Sequence, residues 1–163
     1  MPHHHLDAGA DTVHWGYFDA ALPPVLTVES GDRVTVSTVS GDPEVMPPAP
    51  FVVPPALRAV QEKVPNRLPG HMCTGPIAVR GAKTGMVLQV DIEAIELHYD
   101  WGYTYAAPLK GALPEEVSER HLIHIPLDRV RNIGRLPWGL ELPLRPFFGV
   151  MAVVIRIASQ DLH

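Results

Sequence analysis

The sequence predicts a mainly β domain, sandwich- or barrel-like, with long connections and one short helix. Three observations predict it. Eighteen prolines are spread along 163 residues and cut the chain into short pieces, which favours brief strands and ordered loops over long helices. Residues 24–39 and 75–97 alternate apolar and polar side chains with the period of a half-buried strand. Residues 55–64 alone show a convincing helical spacing.

Residues 1–11 read as a flexible N-terminal segment. Its three consecutive histidines, His3, His4 and His5, offer weak metal coordination, but on an untethered terminus they read as solvated linker. In PVLTVESGDRVTVSTV, Leu26 and Val28 share one face, Val34 and Val36 form a second apolar run, and Thr27, Glu29, Arg33 and Thr35 point the other way. Ser30-Gly31-Asp32 interrupts this pattern, so two strands folded into a hairpin are expected, with Gly31 at positive φ and Asp32 bonding turn amides.

Residues 43–55 are proline-rich and read as an extended connection. Pro55 then starts the helix PALRAVQEKV, in which Leu57, Val60 and Val64 recur at helical spacing before Pro65 stops it. A second hairpin is expected from Ile77 and Val79, a turn over Gly81 to Gly85, and the alternating Leu88, Val90 and Ile92. The phase slips at Ala94, where a bulge would hand the apolar face to Ile95 and Leu97. Residues 98–146 read as loop-rich, and near the end Val153, Ile155 and Ile157 alternate as an edge strand would.

Hydrophobic residues at 46% and charged residues at 19% exclude a disordered chain. The formal net charge is −5 without a basic stripe, so no nucleic-acid partner is expected. No window approaches the roughly eighteen uninterrupted apolar residues that cross a bilayer, so no membrane partner is expected either. Cys73 is the one cysteine, which rules out an intramolecular disulfide and suits a reducing, cytoplasmic setting.

No phosphate loop, dinucleotide turn, G-x-S-x-G elbow or H-E-x-x-H helix is present. The candidates are polar residues among aromatics. His14, beside Trp15, Tyr17 and Phe18, suits a metal ligand, an acid/base group, or an imidazole satisfied at a sheet edge. His71, on a glycine-containing loop ahead of a strand, suits a functional role or a bond to a backbone carbonyl. Asp100, between Tyr99 and Trp101, is either a desolvated or paired carboxylate, or a turn-capping residue ahead of Gly102. His121 and His124, three apart in a strand, would face opposite sides and make a poor ligand pair. Cys73 has no strand-to-helix elbow around it and reads as a small loop residue.

Taken in order, TVHWGYFDAALPPVLTVESGDRVTV, STVSGDPEV, PGHMCTGPIAVRGA, DWGY, LKGALPEE, HIPLDRVRNI, LPWGLELPL and RPFFGVM resemble the acetamidase/formamidase family, from Thr12 to Met151. The resemblance implies a mainly β, sandwich-like domain with long loops and one or two short helices, spanning residues 12–151 and followed by a divergent tail over 152–163. It implies hydrolysis of a short aliphatic amide such as acetamide or formamide to a carboxylate and ammonia. It also implies a homo-oligomer, a divalent metal ion (zinc or calcium) in some members, and no organic cofactor. His14, His71 and Asp100 would then be first-half contributions to catalysis, with His14 and His71 as metal ligands.

Three departures from the family pattern stand out. Met86 occupies a turn position where an aspartate is expected, and Thr104 follows DWGY in place of Asn. After Met151 the family continues through Gly-Val-Ala-Pro into a second half that carries acidic and histidine residues, whereas this chain reads AVVIRIASQDLH. The expectation is therefore an amidase by descent. Its alternative is a truncated, non-catalytic remnant, or a subunit that associates with a missing C-terminal half.

Overall fold

The computed structural model describes residues 2–154. The chain forms two compact units that share it in alternation. The first contains the residues up to Asp42, Pro54–Asp91 and the described residues from Phe148; the second contains Pro43–Val53 and Ile92–Phe147. The architecture is mainly β, with several small sheets and little helix, as the proline content and the period-two stretches predict.

The first unit holds three two-stranded sheets. Strand β1 (His3–Leu6) pairs in parallel with β4 (Arg33–Val36), so the three histidines are part of a strand and not a solvated linker. The reason lies in the alternation: His4 and Leu6 turn inward, and Leu6 is buried. The ladder is extended at both ends by Arg33 N–H to Pro2 O (3.1 Å) and Ser37 N–H to Leu6 O (2.9 Å). Strand β2 (Val13–Trp15) pairs antiparallel with β5 (Met72–Thr74), and β3 (Leu26–Val28) pairs in parallel with β6 (Ile77–Val79).

Strands β3 and β4 lie where the alternation predicts, but they do not form a hairpin. Glu29–Asp32 closes a turn through Asp32 N–H to Glu29 O (3.2 Å), with Gly31 at φ +90° in the third position. That is a type II turn, whose twist splays the flanking strands instead of pairing them. Each strand therefore finds a separate parallel partner. Asp32 stabilises the turn as expected: its Oδ2 accepts the Glu29 N–H (3.0 Å) and also the His4 Nε2–H (2.9 Å). Chiefly the backbone bond from Glu29, and then His4, hold its carboxyl below the ordinary 3.8.

Helix α1 (Pro55–Lys63) matches its predicted limits. Pro55 occupies the first turn, where a missing N–H is tolerated, and Val64 N–H closes the last turn on Val60 O (2.9 Å). Leu57 and Val60 are fully buried, and with Leu6, Val13, Trp15, Val28 and Val39 they make the core of this unit.

The second unit is built on a four-stranded antiparallel sheet in the order β10-β9-β8-β7. Its strands are β7 (Trp101–Ala106), β8 (His121–Asp128), β9 (Ile133–Arg135) and β10 (Glu141–Pro143). This corrects the loop-rich reading of residues 98–146. Pro126 and the glycines at 102 and 134 look like breaks in sequence, yet Pro126 sits in β8 opposite Trp101, and both glycines lie within strands. Trp101 is buried and donates its indole N–H to Val52 O (3.0 Å). His124 donates from Nε2 to Val45 O (2.9 Å), beside a single 3-10 turn at Pro43–Val45. His121 and His124 both belong to β8 at a spacing that puts them on opposite faces, as predicted. A charge cluster ties β9 to β10: Arg131 grips Glu141 at 2.9 and 3.2 Å, and Arg135 reaches Glu141 (3.2 Å) and Asp128 (3.4 Å).

The second expected hairpin is half formed. Ile77 and Val79 are strand residues, but among the described residues Met86–Leu97 pairs with no strand and shows no bulge at Ala94. Val87 is 95% exposed, and Leu88, Val90 and Ile92 are about half exposed. Of the expected edge strand near the end, Val153 is irregular and exposed, while Ile155 and Ile157 lie outside the described residues.

Candidate active-site face on the β2–β5 pair

In β2 the core-seeking residues are Val13 and Trp15, both buried, so the alternation of the strand turns His14 to the opposite face. The antiparallel register sets Val13 against Thr74, His14 against Cys73 and Trp15 against Met72. The ladder continues beyond the strands through Gly16 N–H to His71 O (3.1 Å) and Gly75 N–H to Thr12 O (2.9 Å). His14, Cys73 and His71 consequently share one face, with His71 diagonal to His14 and opposite Gly16. Diagonal neighbours across such a pair stand about 7–8 Å apart.

Gly16 is required here. Its φ is +88°, and a Cβ would overlap the Leu68 carbonyl oxygen. The close approach lets the 68–70 loop fold over the strand, where Trp15 donates its indole N–H to Gly70 O (3.3 Å). Tyr17 lies edge-on to the His14 ring at 5.4 Å, and the Arg67 guanidinium covers the Tyr17 ring at 5.3 Å. A hollow of about 140 Å³ opens at this place, walled by Tyr17, Phe18, His71, Cys73 and Val150 over the backbone of Gly16 and Gly70. It has room for a molecule of a few non-hydrogen atoms, and its walls are largely apolar.

His14 Nδ1 is buried without a hydrogen-bond partner among the described residues. Leaving such an atom unpaired costs about 1–3 kcal/mol, so the position suits a group that takes up or releases a proton, or binds a ligand. Cys73 is half-buried, its thiol lies 3.7 Å from His71 O, and burial pushes its pKa above 9.0. A thiol held protonated is a poor nucleophile. The sequence places Cys73 in a loop; it belongs to β5, and its pairing with His14 depends on contacts between distant stretches of chain.

Asp100 belongs to the second unit. Its side chain is exposed, while its backbone carbonyl accepts Leu127 N–H (2.8 Å). The rings of Tyr99 and Trp101 stack on each other at 5.5 Å and 17°, so the aromatics on either side of Asp100 enclose one another and leave the carboxylate in solvent. Tyr99 is the buried polar group at this place: its hydroxyl has no partner among the described residues, and burial raises its pKa above 10.0. A larger hollow in this unit, about 250 Å³, is lined by Ile95, Glu96, Leu97, Arg129, Asn132 and Pro146. Arg129 there is committed to the Leu97 and His98 carbonyls (3.1 and 3.3 Å), which leaves Glu96 as the one ionisable side chain in its wall without a bond to that wall. The β2–β5 face is chemically the richer site.

Among the described residues no group of three or more His, Cys, Asp or Glu side chains is placed to hold a metal ion. His14 and His71 supply two imidazoles on one face, fewer than the three protein ligands of a catalytic zinc. The described residues therefore do not by themselves fit a complete metal centre.

The class that fold and site define is a mainly β, multi-sheet domain with a small histidine-bordered hollow on a two-stranded ladder. Its architecture is similar to the crystal structure of an acetamidase from Bacillus halodurans, with a TM-score of 0.59 and 22% sequence identity. The match covers 90% of this chain and 44% of that one, so the chain spans less than half the length of the acetamidase it resembles in fold. No family model and no curated protein sequence matches the chain. Among the described residues, no helix is long and apolar enough to cross a membrane.

Proposed function

We propose that this chain is the histidine-bearing portion of an amide hydrolase that acts on short aliphatic amides, acetamide or formamide, giving a carboxylate and ammonia. The observation that carries this reading is the placement of His14 and His71 on one face of β2–β5 beside a hollow of small-amide size, within a fold similar to an acetamidase. Amide hydrolysis needs an activated water, stabilisation of the tetrahedral oxyanion and a proton for the departing ammonia. His14, with its free Nδ1, is the candidate for the proton transfers, and Tyr17 and Phe18 supply apolar walls that orient the acyl group. His71 lines the hollow where the amide would lie. Two imidazoles would serve a zinc ion only with further ligands from beyond the described residues, and they do not suit calcium, which takes oxygen ligands, so no step is assigned to a metal.

A second reading is favoured by one observation. Leu88, Val90 and Ile92 alternate as a strand does, yet they and the neighbouring Val87 are exposed and unpaired among the described residues. In this reading the chain works as a subunit, covered either by a second copy or by a polypeptide equivalent to the rest of the acetamidase, and is inactive alone. Ammonia release from acetamide and formamide tests both. Activity that scales with the purified chain and falls about 100-fold in His14→Gln and His71→Gln supports the first. No release above a heat-killed control, with activity restored by a co-expressed partner, supports the second.

A further inference from the structure

We infer that His3 and His5 form a two-imidazole binding site for a borderline divalent transition ion, of the Zn2+ or Ni2+ kind, on the outer face of β1. In this strand His4 and Leu6 turn inward, so His3 and His5 project together on the exposed side. Their ring centroids are 4.5 Å apart with 34° between the planes, close enough for a nitrogen of each to converge on one ion at about 2.0–2.1 Å after small side-chain rotations. Imidazole suits these ions by its borderline softness.

The strand makes this more than a histidine-rich tail. Parallel pairing aligns His3 with Arg33, His4 with Val34 and His5 with Thr35, and the ladder is held at both ends by backbone bonds to Pro2 and Leu6. The entropy of bringing two imidazoles to one side is therefore spent in folding and not in binding. His4 cannot join them, because its Nε2 is committed to Asp32 on the other face (2.9 Å). His3 Nε2 meets Thr35 Oγ1 at 2.8 Å, an exposed bond that leaves Nδ1 for the ion or is exchanged for water. Water completes the coordination shell, so the site is open and exchangeable. It lies on a different sheet from His14 and His71 and stands independently of the amidase reading.

The test is calorimetric titration of the untagged full chain with NiCl2, together with NMR of the histidine ring signals. One ion binds per chain, the His3 and His5 signals respond first, and His3→Ala or His5→Ala weakens binding at least about tenfold. His5→Ala removes no hydrogen bond that β1 makes, so its effect does not report loss of the strand. His4→Gln, which still donates to Asp32, leaves the affinity within about twofold. The inference is overturned if binding is not saturable, if His4→Gln weakens it as much as His5→Ala, or if the responding rings are His14 and His71.

Discussion

His14 and Cys73 stand directly opposite each other across the antiparallel β2–β5 pair, on the face away from the buried Val13 and Trp15. A histidine facing a cysteine suggests a thiolate nucleophile, but the direction of the Cys73 pKa argues otherwise. Burial raises it above 9.0, and a thiol held protonated is a poor nucleophile.

Cys73 is therefore expected to react slowly with iodoacetamide at pH 7.5, with the rate rising through and above pH 9. In any assembly that releases ammonia, Cys73→Ala should keep activity within about threefold of the parent if, as proposed, water and not sulfur attacks the amide. A loss of a hundredfold or more would reinstate the thiol as nucleophile.

Gly16→Ala should damage both stability and the site. The new methyl would overlap Leu68 O at a φ of +88°, which shifts the 68–70 loop and the wall of the hollow. A loss of about 2–4 kcal/mol in urea unfolding is expected. Gly81→Ala has φ +80° but open space around it, so it carries the backbone strain without the clash and should be milder.

Leu57 is wholly buried on α1. Truncation to alanine leaves a cavity in the first unit and should cost about 2–5 kcal/mol. Arg58→Ala, on the exposed side of the same helix, should stay within about 0.5 kcal/mol. Equal effects of the two would mean that α1 does not pack as described.

The Asp32 carboxyl provides a pH test whose sign follows from its partners. Its folded pKa lies below the ordinary 3.8, mainly through the Glu29 N–H. Its stabilisation is therefore complete above about pH 4 and disappears as the pH falls through the lower folded value. Asp32→Asn should lower stability at neutral pH and flatten this acid limb, measured as the urea midpoint against pH. An unchanged acid limb would remove Asp32 from the turn.

What was legible in the sequence was local. Pro55, the spacing of Leu57 and Val60, and Pro65 suffice to place α1, because a helix closes its own hydrogen bonds. Strands β3 and β4 were legible from the local alternation of Leu26, Val28, Val34 and Val36, which marks one buried face. Their partners were not: pairing Leu26 with Ile77 and His4 with Val34 joins distant stretches, and a type II turn after Val28 gives no strong signal against a hairpin. The four-stranded sheet was hidden by Gly102 and Pro126, in DWGY and IPLD, which read as breakers although the strands tolerate them. For the site, His14 and His71 could each be named from their neighbours, whereas the involvement of Cys73 followed from the β2–β5 register alone.

The alternation of the two units along the chain bears on how the protein is made. The first unit draws on three separate stretches and the second on two, so neither is a continuous piece of polypeptide. During synthesis β1 and β4 can pair early, whereas β2 and β3 must wait for β5 and β6 to leave the ribosome. The loop closures are long, and long closures slow folding. A nascent chain therefore carries unsatisfied strand edges for much of its translation. A protease cut anywhere between Pro43 and Asp91 would yield no fragment that contains either unit entire.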